Sequence, residues 1–181
     1  MAAEVTRRQA LLGAAALSVA GVGELFLPRS ARAAGAPLKR LTATEATALE
    51  SLGETLLPGA AEAGIAHFVD HQLGQPEPLL TLRYVDFPMA PVAFYQAGLA
   101  ALDTLARTGH GAAFAALDTQ TRTALVTAIA GGQAPDWQGP PAPLFYFIAR
   151  SDALDVVYGT EAGFKRLNLP YQAHIAPSQA W

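Results

Sequence analysis

The spacing of the apolar residues is the feature that most constrains this chain. They recur every three or four positions along most of its length, as in Ala46, Leu49, Leu52 and Leu56. This spacing places them on one face of an amphipathic helix. Alternation with period two, which is typical of a strand, occurs only across residues 79–85. The sequence therefore predicts an all-α fold, a small irregular helical domain.

Residues that begin and end helices divide the chain further. Thr42 and Glu45 have the spacing of a capping box and predict a helix start, and Pro58 and Gly59 predict its end. Further helices are predicted at about 62–73, 92–108, 112–130 with a break and a new cap near Asp118, and 143–157. The connections at 74–91 and 134–141 are long and rich in proline, which predicts irregular loops.

Residues 1–33 contain the three parts of an export signal. Arg7 and Arg8 form a basic pair, residues 10–23 are apolar, and Ala31-Arg32-Ala33 is a small-residue cleavage site. A pair of arginines directly before a weakly apolar run predicts a twin-arginine signal, which directs a folded protein across a bacterial membrane. An ordinary secretory signal is the alternative interpretation.

The apolar run of this signal is short for a membrane span. Even if it is extended to Leu27, Glu24 interrupts it, and it does not reach the roughly 20 apolar residues that a bilayer requires. We therefore expect cleavage after Ala33 and a periplasmic mature protein, with retention of the signal as an anchor as the alternative.

The composition of the predicted mature chain excludes several classes of protein. From residue 34 onward there are eight basic and thirteen acidic residues, a net charge of −5, so nucleic acid is not an expected ligand. The chain has no cysteine, which excludes disulfides, thiolate metal sites and covalently attached haem. Charged residues are 21 of 148, against about 25% in a typical soluble domain. This indicates either a surface covered by a partner or an alanine-rich composition.

Candidate chemical groups are few. His67 and His71 lie four residues apart beside Asp70, but a third ligand is missing nearby, so we expect them on a polar face or at an interface, where they form hydrogen bonds. Asp152 and Asp155 are a possible acid/base pair whose spacing is more typical of a solvated helix face. The chain contains neither a Gly-x-Ser-x-Gly motif nor a glycine-rich phosphate loop. We therefore predict no catalytic, cofactor-binding or metal-binding residues.

Residues 34–157 are the predicted helical domain, and 158–181 the predicted extended C-terminal arm. Thr160 can cap a short turn within the arm, and the prolines beyond it favour extended backbone. Aromatic anchors on such an arm are suited to grooves of another chain. Folding back along its own domain is the alternative. The predicted partner-interface residues are Trp137, Tyr158, Phe164, Pro170, Tyr171, His174 and Trp181.

Several of these motifs together resemble the gluconate 2-dehydrogenase subunit 3 family. They are the twin-arginine start, the Leu-Thr-x-x-Glu helix start, the helix at 67–73, Asp-Val-Val-Tyr-Gly-Thr at 155–160, and the tail motifs around 163–164, 169–171 and 174–175. The tail is most similar to the small subunits of membrane-bound fructose, sorbitol and related sugar dehydrogenases. It departs from the gluconate branch at 158–161, where Tyr-Gly-Gly-Asn would be expected.

The resemblance implies a small subunit without a cofactor. Its expected partners are a large FAD-dependent flavoprotein of the glucose-methanol-choline type and a c-type cytochrome that carries haem c and joins the complex to the membrane. The small subunit would supply the export signal for the FAD-loaded partner and support its maturation and stability. An independent exported small-molecule-binding protein and a transient export chaperone are the alternatives.

Overall fold

A computed structural model describes residues 26–170, and these residues form eight α-helices and two 3₁₀ helices without a strand. The predicted all-α fold is confirmed. The α-helices are α1 (Pro28–Ala33), α2 (Ala43–Leu56), α3 (Ala60–Ala63), α4 (Ile65–Leu73), α5 (Pro91–His110), α6 (Thr119–Ala130), α7 (Ala142–Tyr158) and α8 (Glu161–Arg166). The 3₁₀ helices are Thr81–Tyr84 and Phe114–Ala116. Arg7, Arg8, Tyr171, His174 and Trp181 lie outside the described residues.

The predicted capping residues begin three of the helices. Thr42 accepts a hydrogen bond from the backbone N–H of Glu45 at 3.2 Å, and the Glu45 carboxylate accepts one from the Thr42 N–H at 2.7 Å. Asp118 caps α6, and Thr160 caps α8 by accepting from the Gly163 N–H at 3.1 Å. Side chains at these positions satisfy N–H groups that have no partner inside the helix. The arm predicted at 158–181 therefore begins with a short helix.

One predicted helix is divided into two. The apolar spacing predicts a continuous helix over residues 62–73, but Gly64 has φ +86° and separates α3 from α4. A side chain at this position would also overlap the backbone of Pro28, which passes directly over it. The break therefore has a tertiary cause, because close approach of another segment requires glycine here.

Helices α2 and α7 lie at the centre of the domain, and each contacts most of the other helices. Between α5 and α7 the core is aromatic: the ring of Phe145 lies 6.0 Å from that of Phe94 and 6.5 Å from that of Tyr95. Gly98 on α5 lies against the ring of Phe145. Within residues 26–170, every helix is too short or too polar to cross a membrane.

Candidate functional site

The N-terminal segment of the described chain is bound along helix α4. The carboxylate of Asp70 accepts hydrogen bonds from the backbone N–H groups of Lys39 at 3.0 and 2.9 Å, of Arg40 at 2.7 Å and of Leu41 at 2.8 Å. Asp70 is only 5% exposed, so these bonds replace the water that the carboxylate loses on burial. The side chain therefore holds the segment that leads into α2 in place.

The two histidines of α4 bind the same N-terminal segment. His67 Nε2 lies 3.1 Å from the carbonyl oxygen of Ala36, and the ring of His71 stacks on that of Phe26 at 3.9 Å with 3° between the planes. Among residues 26–170, no group of three or more potential ligands surrounds a metal position. Both histidines form hydrogen bonds, His71 with the side-chain amide of Gln75, and the contacts with Ala36 and Phe26 are made to this chain's own N-terminal segment.

Helix α1 belongs to the segment that the sequence predicts to be a signal, yet it packs on the domain. Arg29 forms an ion pair with Glu62 at 3.2 Å, and Arg32 forms one with Glu50 at 3.0 Å. Both pairs are partly or largely exposed, so each contributes at most about 1 kcal/mol. They connect α1 to α3 through Glu62 and to α2 through Glu50, while α1 itself packs against α3 and α4.

A cavity of about 400 Å³ lies between the α1 segment and the C-terminal corner formed by α7 and α8. Its lining includes Leu27, Phe68, Val156, Gly163 and Arg166. The corner also contributes Asp155, which is exposed as predicted; its pKa is raised by partial burial. The two ends of the described chain therefore share one groove.

Asp152 lies in the interior, so its predicted place on a solvated face is wrong. It is fully buried and accepts hydrogen bonds from the Thr81 N–H at 2.8 Å, from the Thr81 hydroxyl at 2.6 Å and from the Tyr95 hydroxyl. The physical reason lies in α7 itself, where Asp152 occupies the same face as the buried residues Ile148 and Ala149. That position in an apolar stripe is the signal from which its burial could have been predicted.

Burial shifts the pKa values of Asp152 and Tyr95. Desolvation raises the pKa of Asp152, and the hydrogen bonds from Thr81 and Tyr95 oppose that shift. The pKa of Tyr95 is raised well above its usual value, first by desolvation and then by the neighbouring Asp152 charge. Since the carboxylate is closed to solvent and its hydrogen bonds join the 3₁₀ helix at Thr81–Tyr84 to α5 and α7, the arrangement fixes a loop to the core.

The predicted interface residues within the described chain lie in different environments. Trp137 is half-buried, its ring 5.8 Å from that of Phe145, and its indole N–H donates to a carbonyl of its own loop. Tyr158 and Phe164 are half-buried at the C-terminal corner, where the Arg166 guanidinium lies 5.9 Å from the Tyr158 ring centre. Pro170 is exposed.

Sequence reasoning missed several exposed apolar residues. Leu167 and Leu169, just before the undescribed tail, are 48% and 53% exposed, and Leu79 and Tyr84 protrude from the loop that Asp152 holds. Exposed leucines directly beside predicted aromatic anchors are the kind of signal that marks an interaction surface. The apolar surface at the C-terminal corner therefore includes these leucines as well as the predicted aromatic residues.

The buried ionisable side chains described above hold segments of the chain's own backbone in place, in a small all-α domain with an apolar C-terminal corner. These features place the chain in the class of small all-α domains. The chain matches the family described as gluconate 2-dehydrogenase subunit 3 over residues 43–176, and it belongs to that family. The matched region runs from the start of α2 into the tail. No curated protein and no solved structure matches the chain.

Proposed function

We propose that this protein is the non-catalytic small subunit of a periplasmic, membrane-associated, FAD-dependent sugar or polyol dehydrogenase. The observation that carries the proposal is the family match over residues 43–176, since the family is named as a subunit of a multi-subunit dehydrogenase. In this proposal the catalytic partner is a large flavoprotein, and a c-type cytochrome with haem c connects the complex to the membrane.

The proposed role of the small subunit is export and stabilisation. The twin-arginine pattern at Arg7 and Arg8 supplies an export signal that accepts folded cargo, and folded cargo is what an FAD-loaded partner would be. A subunit that binds only the folded partner raises the partner's free energy of unfolding, and it does so by more when the complex is tighter. This explains why a chain without a cofactor motif would carry such a signal.

The C-terminal corner supports a partner-binding role. Leu167 and Leu169 are exposed there beside Tyr158 and Phe164, and Pro170 leads into the predicted arm. An exposed apolar patch at the point where an aromatic arm leaves a domain is suited to contact with a larger chain. We therefore propose that the flavoprotein binds this corner and the arm that follows it.

The test is expression of the large subunit in three ways: alone, with this chain, and with a variant that carries Arg7→Lys and Arg8→Lys. Periplasmic flavin absorbance and sugar-dependent dye reduction are measured in each case. We expect both signals only with the unchanged chain, and we expect the double variant to leave the flavoprotein in the cytoplasm. Equal periplasmic activity in all three cultures would contradict the proposal.

Copurification distinguishes a lasting subunit from a transient chaperone. A tag placed at the C-terminus of the large subunit should recover this chain in equal amount from the membrane fraction, together with the flavin spectrum. Recovery of active flavoprotein without this chain would instead indicate that the small chain is a transient chaperone. Turnover or tight ligand binding by the isolated small chain would indicate an independent protein.

A further inference from the structure

The bond at which the export signal is expected to be cut lies inside folded structure. The N–H of Ala34, which is the amide of the Ala33–Ala34 bond, donates to the carbonyl of Ser30 at 3.0 Å. On either side, the Ala31 N–H donates to Leu27 and the Ala31 carbonyl accepts from Ala36 at 2.9 Å. The backbone groups that a peptidase must bind are therefore already paired within the helical segment.

A peptidase binds its substrate as an extended strand, pairing with the same main-chain groups that a helix uses internally. Helix α1 must therefore unwind before the bond can be cut. Six residues are too few to form a stable helix in water by themselves, so α1 depends on contacts with the rest of the protein. The contacts that hold it down therefore control access to the bond.

Those contacts come from the folded domain on both sides of the bond. On the N-terminal side, Phe26 stacks on His71, and Glu50 pairs with Arg32. On the C-terminal side, His67 lies against the Ala36 carbonyl, and Asp70 holds residues 39–41. The folded α2 and α4 supply the domain's side of all these contacts, and an unfolded chain would lack them.

We propose that docking of residues 26–33 onto the α2–α4 face protects the Ala33–Ala34 bond, so that the folded domain limits the rate at which its own signal is removed. The step itself is hydrolysis by a signal peptidase: water adds across the amide, leaving a carboxylate on Ala33 and an amine on Ala34. This inference rests on the export signal in the proposed function. It adds that the signal is removed only from molecules in which α1 has detached.

The test uses the full chain in detergent micelles with a purified bacterial signal peptidase, and follows the appearance of the Ala34 N-terminus by mass spectrometry. The variant Glu50→Ala/His71→Ala removes two docking contacts and leaves the sequence of the signal unchanged. The control variant Glu77→Ala removes an exposed ion pair with Arg83, which lies in the loop after α4. A peptide of residues 1–40 supplies the rate for the unprotected bond.

We expect the folded chain to be cut roughly tenfold more slowly than the peptide, because cleavage follows the population of the open form. The double variant should be cut almost as fast as the peptide, because it has lost one ring stack and one half-exposed ion pair that hold α1 in place. The control should match the unchanged chain. Circular dichroism should show that the helical domain stays folded in all three proteins, with a loss of at most the six residues of α1 in the double variant.

Three results would overturn the inference. Equal rates for the folded chain and the peptide would mean that docking gives no protection. A protected double variant would mean that these contacts do not provide it. A peptide that the enzyme does not cut at Ala33 would mean that this bond is not the cleavage site, which overturns the inference but leaves the export role in the proposed function standing. In contrast, loss of flavoprotein binding with normal protection would contradict the proposed function alone.

Discussion

Replacement of Gly98 by alanine tests the aromatic packing between α5 and α7. A Cβ atom at this position would lie 2.9 Å from Cγ of Phe145 and closer still to two other ring carbons. The ring is fully buried, and the rings of Phe94, Tyr95 and Trp137 surround it. It therefore has little space into which it can move.

Two opposing effects set the magnitude of this change. Overpacking of a close-packed core costs typically about 1–3 kcal/mol. Alanine is favoured over glycine within a helix by about 1 kcal/mol, which offsets part of that cost. The steric overlap outweighs the helix preference because several ring atoms are involved. We therefore expect Gly98→Ala to lower the free energy of unfolding by about 1–2 kcal/mol.

Gly109→Ala is the matched control, because it makes the same substitution in the same helix. Nothing lies within 4 Å of a Cβ at Gly109, so the helix preference of alanine acts alone and stability should rise by up to about 1 kcal/mol. Urea unfolding followed by circular dichroism measures both variants. With a slope of about 2 kcal/mol per molar urea, the Gly98→Ala midpoint should fall by about 0.5–1 M. A Gly98 variant as stable as the Gly109 variant would refute the packing argument.

Three further substitutions test the polar contacts. Asp70→Asn should lower the free energy of unfolding in urea by about 1.5–3 kcal/mol and speed hydrogen exchange at the amides of residues 39–41, because their N–H groups lose a charged acceptor. Unchanged exchange at these amides would show that Asp70 does not hold the segment. Thr42→Ala should cost about 1 kcal/mol through loss of the cap, whereas Thr44→Ala, which alters an exposed helical position, should cost nothing. Burial raises the pKa of Asp152, so its contribution to stability is fully present below about pH 4 and is lost as pH rises through its folded-state pKa. The stability of the unchanged chain relative to Asp152→Asn should therefore decrease as the pH rises above about 4 in urea titrations, and a constant difference would contradict the raised pKa.

Local sequence signals predict most of the helices and their starts. Thr42, Asp118 and Thr160 are identifiable as caps because a capping side chain bonds to an N–H only a few residues away. The break at Gly64 could not be predicted in this way. The absence of a Cβ atom at Gly64 makes room for Pro28, which is distant in sequence, and glycine within a helical pattern does not reveal which segment will approach it.

For the polar side chains, too, the sequence predicts the kind of environment but not the partners, which come from distant segments of the chain. The sequence predicts that His67 and His71 lie on a polar face or at an interface and form hydrogen bonds, since they share a helix face without a third ligand. It does not predict that their partners are Ala36 and Phe26, because those contacts form only after folding. The burial of Asp152 is hard to predict because its partner Thr81 is 71 residues away, although its position in an apolar stripe is a usable warning.

The arrangement of the chain ends connects the two proposals. Leu27, near the end of the predicted signal, and Gly163, in the predicted arm, line the same cavity, although 136 positions separate them in sequence. In the proposed complex, a flavoprotein bound to the arm and to the exposed Leu167 and Leu169 would lie next to α1. The bound partner would then lie close to the export signal, and its binding would shift the equilibrium between docked and detached α1. Measuring the peptidase rate with and without the bound flavoprotein would therefore test both proposals. A change in the rate would place the partner at this groove, and an unchanged rate would place it elsewhere on the domain.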